Sequence, residues 1–295
     1  MDRLIFGDNQ FFGVNHMSEE KARAQAVRFR ETSAVIEVLD NALDEGIRTF
    51  MCTTHDRIGE VCEHMRANPG RYRDYIFYPC MPYAHKYNNA VTELGMLGAV
   101  KKFLPEGGIV DAALAGGAAF AKRDIERMTR LLIDAEMKMF EGLRTPVIFL
   151  QNVVVDFLMG LGFKEAFRIF AVHVKERYGA EPGFITMNMP RLLDVLEEVG
   201  VENPIICANI NKIGFRMCGG IELYERTLAT RKFRAIAMSV LASGAIPPRE
   251  ALDYVCGLPN VEAIVFGASS RGNIRDTRRI VGERWALPTP DVASL

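Results

Sequence analysis

A histidine beside a carboxylate, amides closing apolar runs, and a glycine turn ahead of a basic segment are the features of this chain that could do chemistry. His55-Asp56 follows the apolar run Thr49–Thr54 (TFMCTT). An imidazole exchanges protons near neutral pH and a nearby carboxylate tunes it, so His55 is the expected acid–base. Asp8, Asp56 and Lys86 are its candidate partners. Neighbours along a strand face opposite ways, so Asp56 need not touch His55. Lys86 or Lys212 can polarise a carbonyl, although a surface lysine is the commoner role. His64 and His173 fall mid-helix and read as structural. A metal site needs several converging Asp, Glu and His residues, and the run ends supply no Glu. Asp8, His16 and His55 are the one set that could hold an ion, and no metal is expected.

Amides form the second group. Asn9, Gln10, Asn152, Asn188, Asn209 and Asn211 all follow apolar runs. An amide both donates and accepts, which suits the hydroxyls and carbonyls of a polar small molecule. Singly, each is an ordinary turn or cap residue; their recurrence is what suggests a site. Asn9, Gln10, His16, Thr54, Asn152 and Asn211 are the expected substrate contacts. The third feature is Val261–Arg275 (VEAIVFGASSRGNIR), a β-branched run, a Gly267 turn and a helix start. Free N–H groups at a helix N-terminus attract anions, and Arg271 and Arg275 would add charge there. A plain strand–helix turn capped by Ser270 is the competing account.

What must position these residues is a repeated unit of helix, glycine, buried strand and polar residue. Strands are expected at Leu4–Phe6, Thr49–Thr54, Tyr75–Cys80, Pro146–Gln151, Gly183–Asn188, Ile205–Asn209, Ala235–Val240 and Val261–Phe266. Helices are expected at Ser33–Glu45, from Gly59 to Arg66, and over Ala90–Phe103, Ala121–Glu141, Lys164–Tyr178, Pro190–Val199 and Pro248–Cys256. Ser18–Arg30 reads as a charged loop with a short helix, and Asn152 to Leu161 as a loop. Gly107–Gly117 reads as a helix connection, because counting it as a strand would exceed the eight that close a barrel. Such units describe a parallel sheet covered on both faces. At this length they favour a single-domain (β/α)8 TIM barrel over residues 1–295, with an irregular tail from about 283. No GxGxxG follows the first strand, which counts against a Rossmann domain.

Composition narrows the partners. With 36 Lys plus Arg against 37 Asp plus Glu, no nucleic-acid or membrane-surface partner is expected. The six cysteines include no CxxC, and Cys52, Cys80 and Cys207 lie in apolar runs as small hydrophobes. No apolar run is long enough to span a bilayer, and MDRLIFGDNQ is unlike a signal peptide, so a soluble cytoplasmic protein is expected. Outer barrel helices can also pair into a homo-oligomer.

The segments VKERYGAEPGFITMNMPRLLDVL, PIICANINKIGF, AIAMSVLASG and AIVFGASSRGNIRDT resemble, in order, the last four strand-end segments of the aldo-keto reductase superfamily. EVLDNALDEGIRTF resembles the stretch entering that family's second strand. The resemblance implies a (β/α)8 barrel using NADP or NAD without a metal. It places cofactor phosphates and ribose at Ser239, Leu241, Gly267, Ser269, Arg271 and Asn273, and nicotinamide contacts at Asn188 and Asn209. The family's catalytic tetrad does not carry over. Its Asp aligns with Cys52, its Tyr with Arg57, its stacking aromatic with Met238, and its His falls near Gln151 or Asn152; its Lys has no match, Lys86 lying several residues late.

Three readings follow. One is a nicotinamide-dependent oxidoreductase acting on a polar hydroxyl or carbonyl compound such as a sugar, with His55 as acid–base. A second is a cofactor-independent isomerase, epimerase or lyase whose substrate carries the phosphate. The third is a non-catalytic binding or regulatory member of the fold.

Overall fold

The computed structural model describes residues 1–13, 18–83 and 118–287. Eight parallel strands close into a barrel in sequence order: β1 (Leu4–Gly7), β2 (Thr49–Thr53), β3 (Ile76–Met81), β4 (Val147–Leu150), β5 (Glu181–Thr186), β6 (Ile205–Asn209), β7 (Arg234–Met238) and β8 (Val261–Phe266). β8 pairs with β1 in parallel, Ile5 against Val265, and this closes the ring. The described helices are α1 (Glu19–Arg28), α2 (Thr32–Asp44), α3 (Asp56–Ala67), α4 (Ala118–Met137), α5 (Asn152–Leu161), α6 (Glu165–Tyr178), α7 (Met189–Glu198), α8 (Ile221–Thr230), α9 (Pro248–Cys256) and α10 (Arg271–Gly282).

Strand alternation divides the core in two. Ile5, Met51, Tyr78, Phe149, Cys207 and Ile236 point inward and fill the barrel. Their neighbours Phe6, Cys52, Phe77, Ile148, Ile206 and Ala235 point outward and pack beneath the helices. Both faces are thus buried, which explains why the strands read as continuous apolar runs. One interior position is set by size. The ring of Phe149 lies across Gly183 on the adjacent strand, where a Cβ would stand 2.3 Å from the ring.

Several element boundaries differ from expectation. Asn152 to Leu161 is a helix, closed by Gly162 at φ 73°, and its Val155 is fully buried. α3 begins at Asp56, three residues before Gly59, because His55 caps it. The charged segment after Ser18 is a regular helix, and the stretch leading to β7 contains α8. The helix expected at Ala90–Phe103 and the connection at Gly107–Gly117 lie outside the described residues. No described helix is long and apolar enough to cross a membrane.

Candidate functional site

The C-terminal mouth of the barrel opens into a cavity of about 520 Å³. Met51, Cys80, Ile185, Cys207 and Met238 form its floor. The β1 loop (Asp8, Asn9, Gln10) walls one side. From there the space continues as a groove between the β7 loop and the β8 turn with the first turns of α10. Strand ends and βα loops build this face in barrels of this kind, and catalytic groups collect there.

Asp8 is the buried carboxylate of the mouth, 7% exposed. Its Oδ2 accepts the Thr53 N–H and the Thr53 hydroxyl, each at 2.7 Å, which ties β1 to the end of β2. Burial pushes its pKa above the ordinary carboxylate value and outweighs those two bonds. The folded state therefore holds this proton more tightly than the unfolded chain. Stability from Asp8 is greatest below the ordinary carboxylate pKa and is lost as pH rises through the folded value. Asp8→Asn retains an acceptor for Thr53 without a buried charge. It should melt higher than the wild type at about pH 8, with the gap closing at about pH 4; an equal gap at both would show that Asp8 titrates normally.

His55 caps α3: its Nδ1 accepts the Arg57 N–H at 3.0 Å, so the neutral ring carries its proton on Nε2. The ring stacks on Phe12 at 4.3 Å between centroids and meets Tyr83 edge-on at 5.3 Å. The Tyr83 phenol is raised by burial and by the charge of Asp8. Cys52, where the resemblance puts the family's Asp, points outward under the helices, whereas Asp8 brings a carboxylate to the mouth from β1. Arg57, where the resemblance puts the proton-donating Tyr, donates to the Phe11 and Phe29 carbonyls and anchors the β1 loop.

Of the residues nominated from sequence, Asp8, Asn9, Gln10, Asn152, Ser239, Leu241, Gly267 and Asn273 line the cavity. The others, His55 among them, do not line it; His55 stands against Phe12 and Tyr83 beside the β1 loop. The Thr54 hydroxyl donates to Glu136 on α4, a buried pair behind the sheet. Asn211 closes its own loop, exchanging bonds with Phe215 N–H and carbonyl at 2.8 and 2.9 Å. Asn209 donates to the Arg216 carbonyl, and Asn188 caps α7 by accepting the Arg191 N–H. Ser269 precedes the α10 cap, and Asp56 is the exposed first residue of α3. Lys212 pairs with Glu250 at 2.7 Å. Arg271 and Arg275, expected beside the anion site, instead both reach Glu45 after α2. His16 and Lys86 lie outside the described residues. Among the described residues, no group of three or more His, Cys, Asp or Glu could hold a metal ion.

Two features of the groove point to a ligand. Gln10 is 5% exposed; its Nε2 donates to the Gly7 carbonyl at 2.8 Å, which fixes the amide orientation. Its buried Oε1 has no partner, and it points at Gly267, where a Cβ would come within 2.1 Å. A buried acceptor left empty costs about 1–3 kcal/mol, so a bound donor would recover that loss. Opposite it, the β7 loop holds Ser239, Ala242, Ser243 and Gly244 at φ 54°, 45°, 58° and 92°. Left-handed conformations at non-glycine residues are sparsely populated and collect at binding sites.

Tyr83, Phe12, Ser243, Asp276 and Thr277 escaped the sequence reading. Tyr83 was hidden because it follows Pro82 in a loop of unassigned shape. Asp276 and Thr277 follow from Asn273 at the i+3 and i+4 helical spacing, a signal that was present.

No protein-family model matches this sequence, and no curated protein is similar enough to align with it. Solved structures do match. A Pseudomonas aeruginosa protein placed provisionally among the aldo-keto reductases superposes with a TM-score of 0.59 at 14% identity, over 96% of this chain and 90% of its own. The chain shares that protein's (β/α)8 barrel fold. An aldo/keto reductase from Brucella melitensis gives 0.54 at 12% identity over 98% and 91% of the two chains. A thermostable aldo-keto reductase solved with the inhibitor epalrestat gives 0.56 at 12% over 96% and 90%. At such identities only the fold is shared; the site must be argued from its own residues.

Proposed function

We propose that this barrel is an oxidoreductase in which a nicotinamide dinucleotide lies in the groove and a polar carbonyl or hydroxyl compound, such as a sugar derivative, meets it at the mouth. The observation that carries the reading is the continuity of the cavity, from Asp8 and Gln10 at the mouth to the N-terminus of α10. That shape suits an elongated ligand with one reactive end. Gln10 Oε1 offers an acceptor to a ligand N–H or O–H, and the first turn of α10 offers N–H groups to phosphate. A dinucleotide held there would supply hydride-transfer chemistry at the substrate carbon.

The protein's own contribution is proton handling and exclusion of water. His55 is held with Nε2–H as its donor, and the rings of Phe12 and Tyr83 shield it. A substrate oxygen reaching past the β1 loop to His55 would take that proton in the reductive direction and return it in the oxidative one. Asp8 holds the β1 loop against β2.

Calorimetric titration with NADH and NADPH tests the reading directly. Binding of at least one at micromolar to tens of micromolar concentration is expected. If neither binds at millimolar concentration, the reading falls. A cofactor-independent proton transfer using Asp8 and His55 would then be favoured, and exchange of a sugar phosphate's carbon-bound proton in deuterated buffer would reveal it.

A further inference from the structure

We propose that the mouth of the barrel recognises a small ligand carrying a protonated amine, of the amino-alcohol or amino-sugar class, through the Asp8 carboxylate and the free Gln10 oxygen. The inference rests on the reading above in taking the mouth as the substrate's place, and deepens it by naming the class of compound; its test needs no cofactor.

A buried carboxylate is costly unless a cation or hydrogen bonds compensate it. Asp8 is 7% exposed, and the Thr53 N–H and hydroxyl both bond to its Oδ2. Its Oδ1 receives no bond from any other described residue. Burial raises its pKa, and no lysine, arginine or histidine among the described residues offsets that rise. Two comparable acids are matched where they stand. Glu45 is met by Arg271 and Arg275, at 3.2 and 3.1 Å. Asp156 accepts at both oxygens, from the Thr186 hydroxyl and the Met187 N–H. Asp8 has neither a cation nor a partner for its second oxygen.

Gln10 supplies an independent acceptor on the same loop. Its Nε2 is committed to the Gly7 carbonyl, so the buried Oε1 is held facing Gly267 with nothing bonded to it. Both residues line the cavity, and no lysine or arginine stands among its described lining. An ammonium group carries three N–H donors and a positive charge. A compound with an ammonium and hydroxyls therefore answers both needs, donors for the empty oxygens and a charge for Asp8. A neutral polyol answers only the first, and a carboxylate or phosphate answers neither. The cavity floor of Met51, Cys80, Ile185, Cys207 and Met238 is apolar, so an ion pair formed above it is weakly screened.

Calorimetric titration of the full chain without cofactor tests this, using 2-amino-1,3-propanediol and glucosamine against glycerol, glucose and gluconate at about pH 7, where an amine of this kind is protonated. At least one amine should bind about tenfold or more tightly than its neutral counterpart, the scale of a hydrogen bond to a charged group. Asp8→Asn should remove most of that preference, and its melting curve shows that the variant is folded. Gln10→Met, which keeps the volume and removes Oε1, should weaken the amine about threefold or more. Asp276→Asn, an exposed carboxylate in the same lining, should leave the preference unchanged and so locate it at Asp8. The inference is overturned if the amines bind no more tightly than the neutral compounds, if gluconate binds best, or if no amine binds at about 10 mM. An unchanged preference in Asp8→Asn overturns it as well. None of these outcomes touches the oxidoreductase reading, which stands or falls on the separate cofactor titration.

Discussion

Replacing His55 with asparagine should lower turnover by about 10²–10⁴-fold while leaving cofactor affinity within about twofold, the range that general acid–base groups contribute. Asparagine is the informative substitution because of what His55 does locally. Its Nδ1 accepts the Arg57 N–H and so begins α3. An asparagine side-chain oxygen takes over that bond and is among the best N-caps, whereas alanine would forfeit about 1 kcal/mol of helix stability. His55→Asn thus removes the Nε2 proton and keeps the architecture. The measurement is oxidation of the reduced cofactor with the best substrate from a panel of sugar-derived aldehydes and ketones, alongside calorimetric binding of that cofactor. A loss in kcat without a loss in binding places His55 at the reacting atoms. Unchanged turnover would remove it from the mechanism and turn attention to Tyr83, which lies 5.3 Å away between ring centroids.

The second large effect is on stability. Gly183→Val should cost about 3 kcal/mol or more, at the upper end of overpacking penalties. Gly183 pairs with Phe149 across β4 and β5, and the Phe149 ring occupies the volume a side chain would need. Its ring atoms stand 2.3, 2.4 and 2.8 Å from the ideal Cβ position, and Phe149 is fully buried. Neither can yield without disturbing the inward layer of Tyr78 and Ile185. The thermal midpoint of Gly183→Val should fall clearly. Adding Phe149→Ala should return part of the loss, because two residues in contact do not act independently. A double variant no better than the sum of its parts would show that the ring and the glycine are not coupled.

Much of the architecture was legible because burial imposes period and punctuation. Val261–Phe266 and Pro248–Cys256 appear at the expected residues, bounded by Gly267 and Gly257. Asn152 to Leu161 misled for a physical reason. Its run of valines and a glycine near its end weaken helix propensity, yet burying Val155 and closing the end on Gly162 carry the helix through. At the site, residue type alone could not distinguish an amide that waits for a ligand from one that holds its own loop. Gln10 and Asn211 look alike in sequence; one leaves an oxygen empty at the groove and the other bonds to Phe215 in both directions.

By itself the sequence determined the barrel, its strand ends as the place for chemistry, and the nomination of His55, Asp8 and the turn at Gly267. These follow from local pattern, because hydrophobic period and turn residues act over a few positions. The tertiary structure alone decided where charge goes. Arg271 and Arg275 lie 226 and 230 residues from Glu45, and no local pattern announces that pairing. Their capture leaves the described groove lining with carboxylates and an empty acceptor, because electrostatic partners are set by proximity in space and the chain brings them together only when the barrel closes.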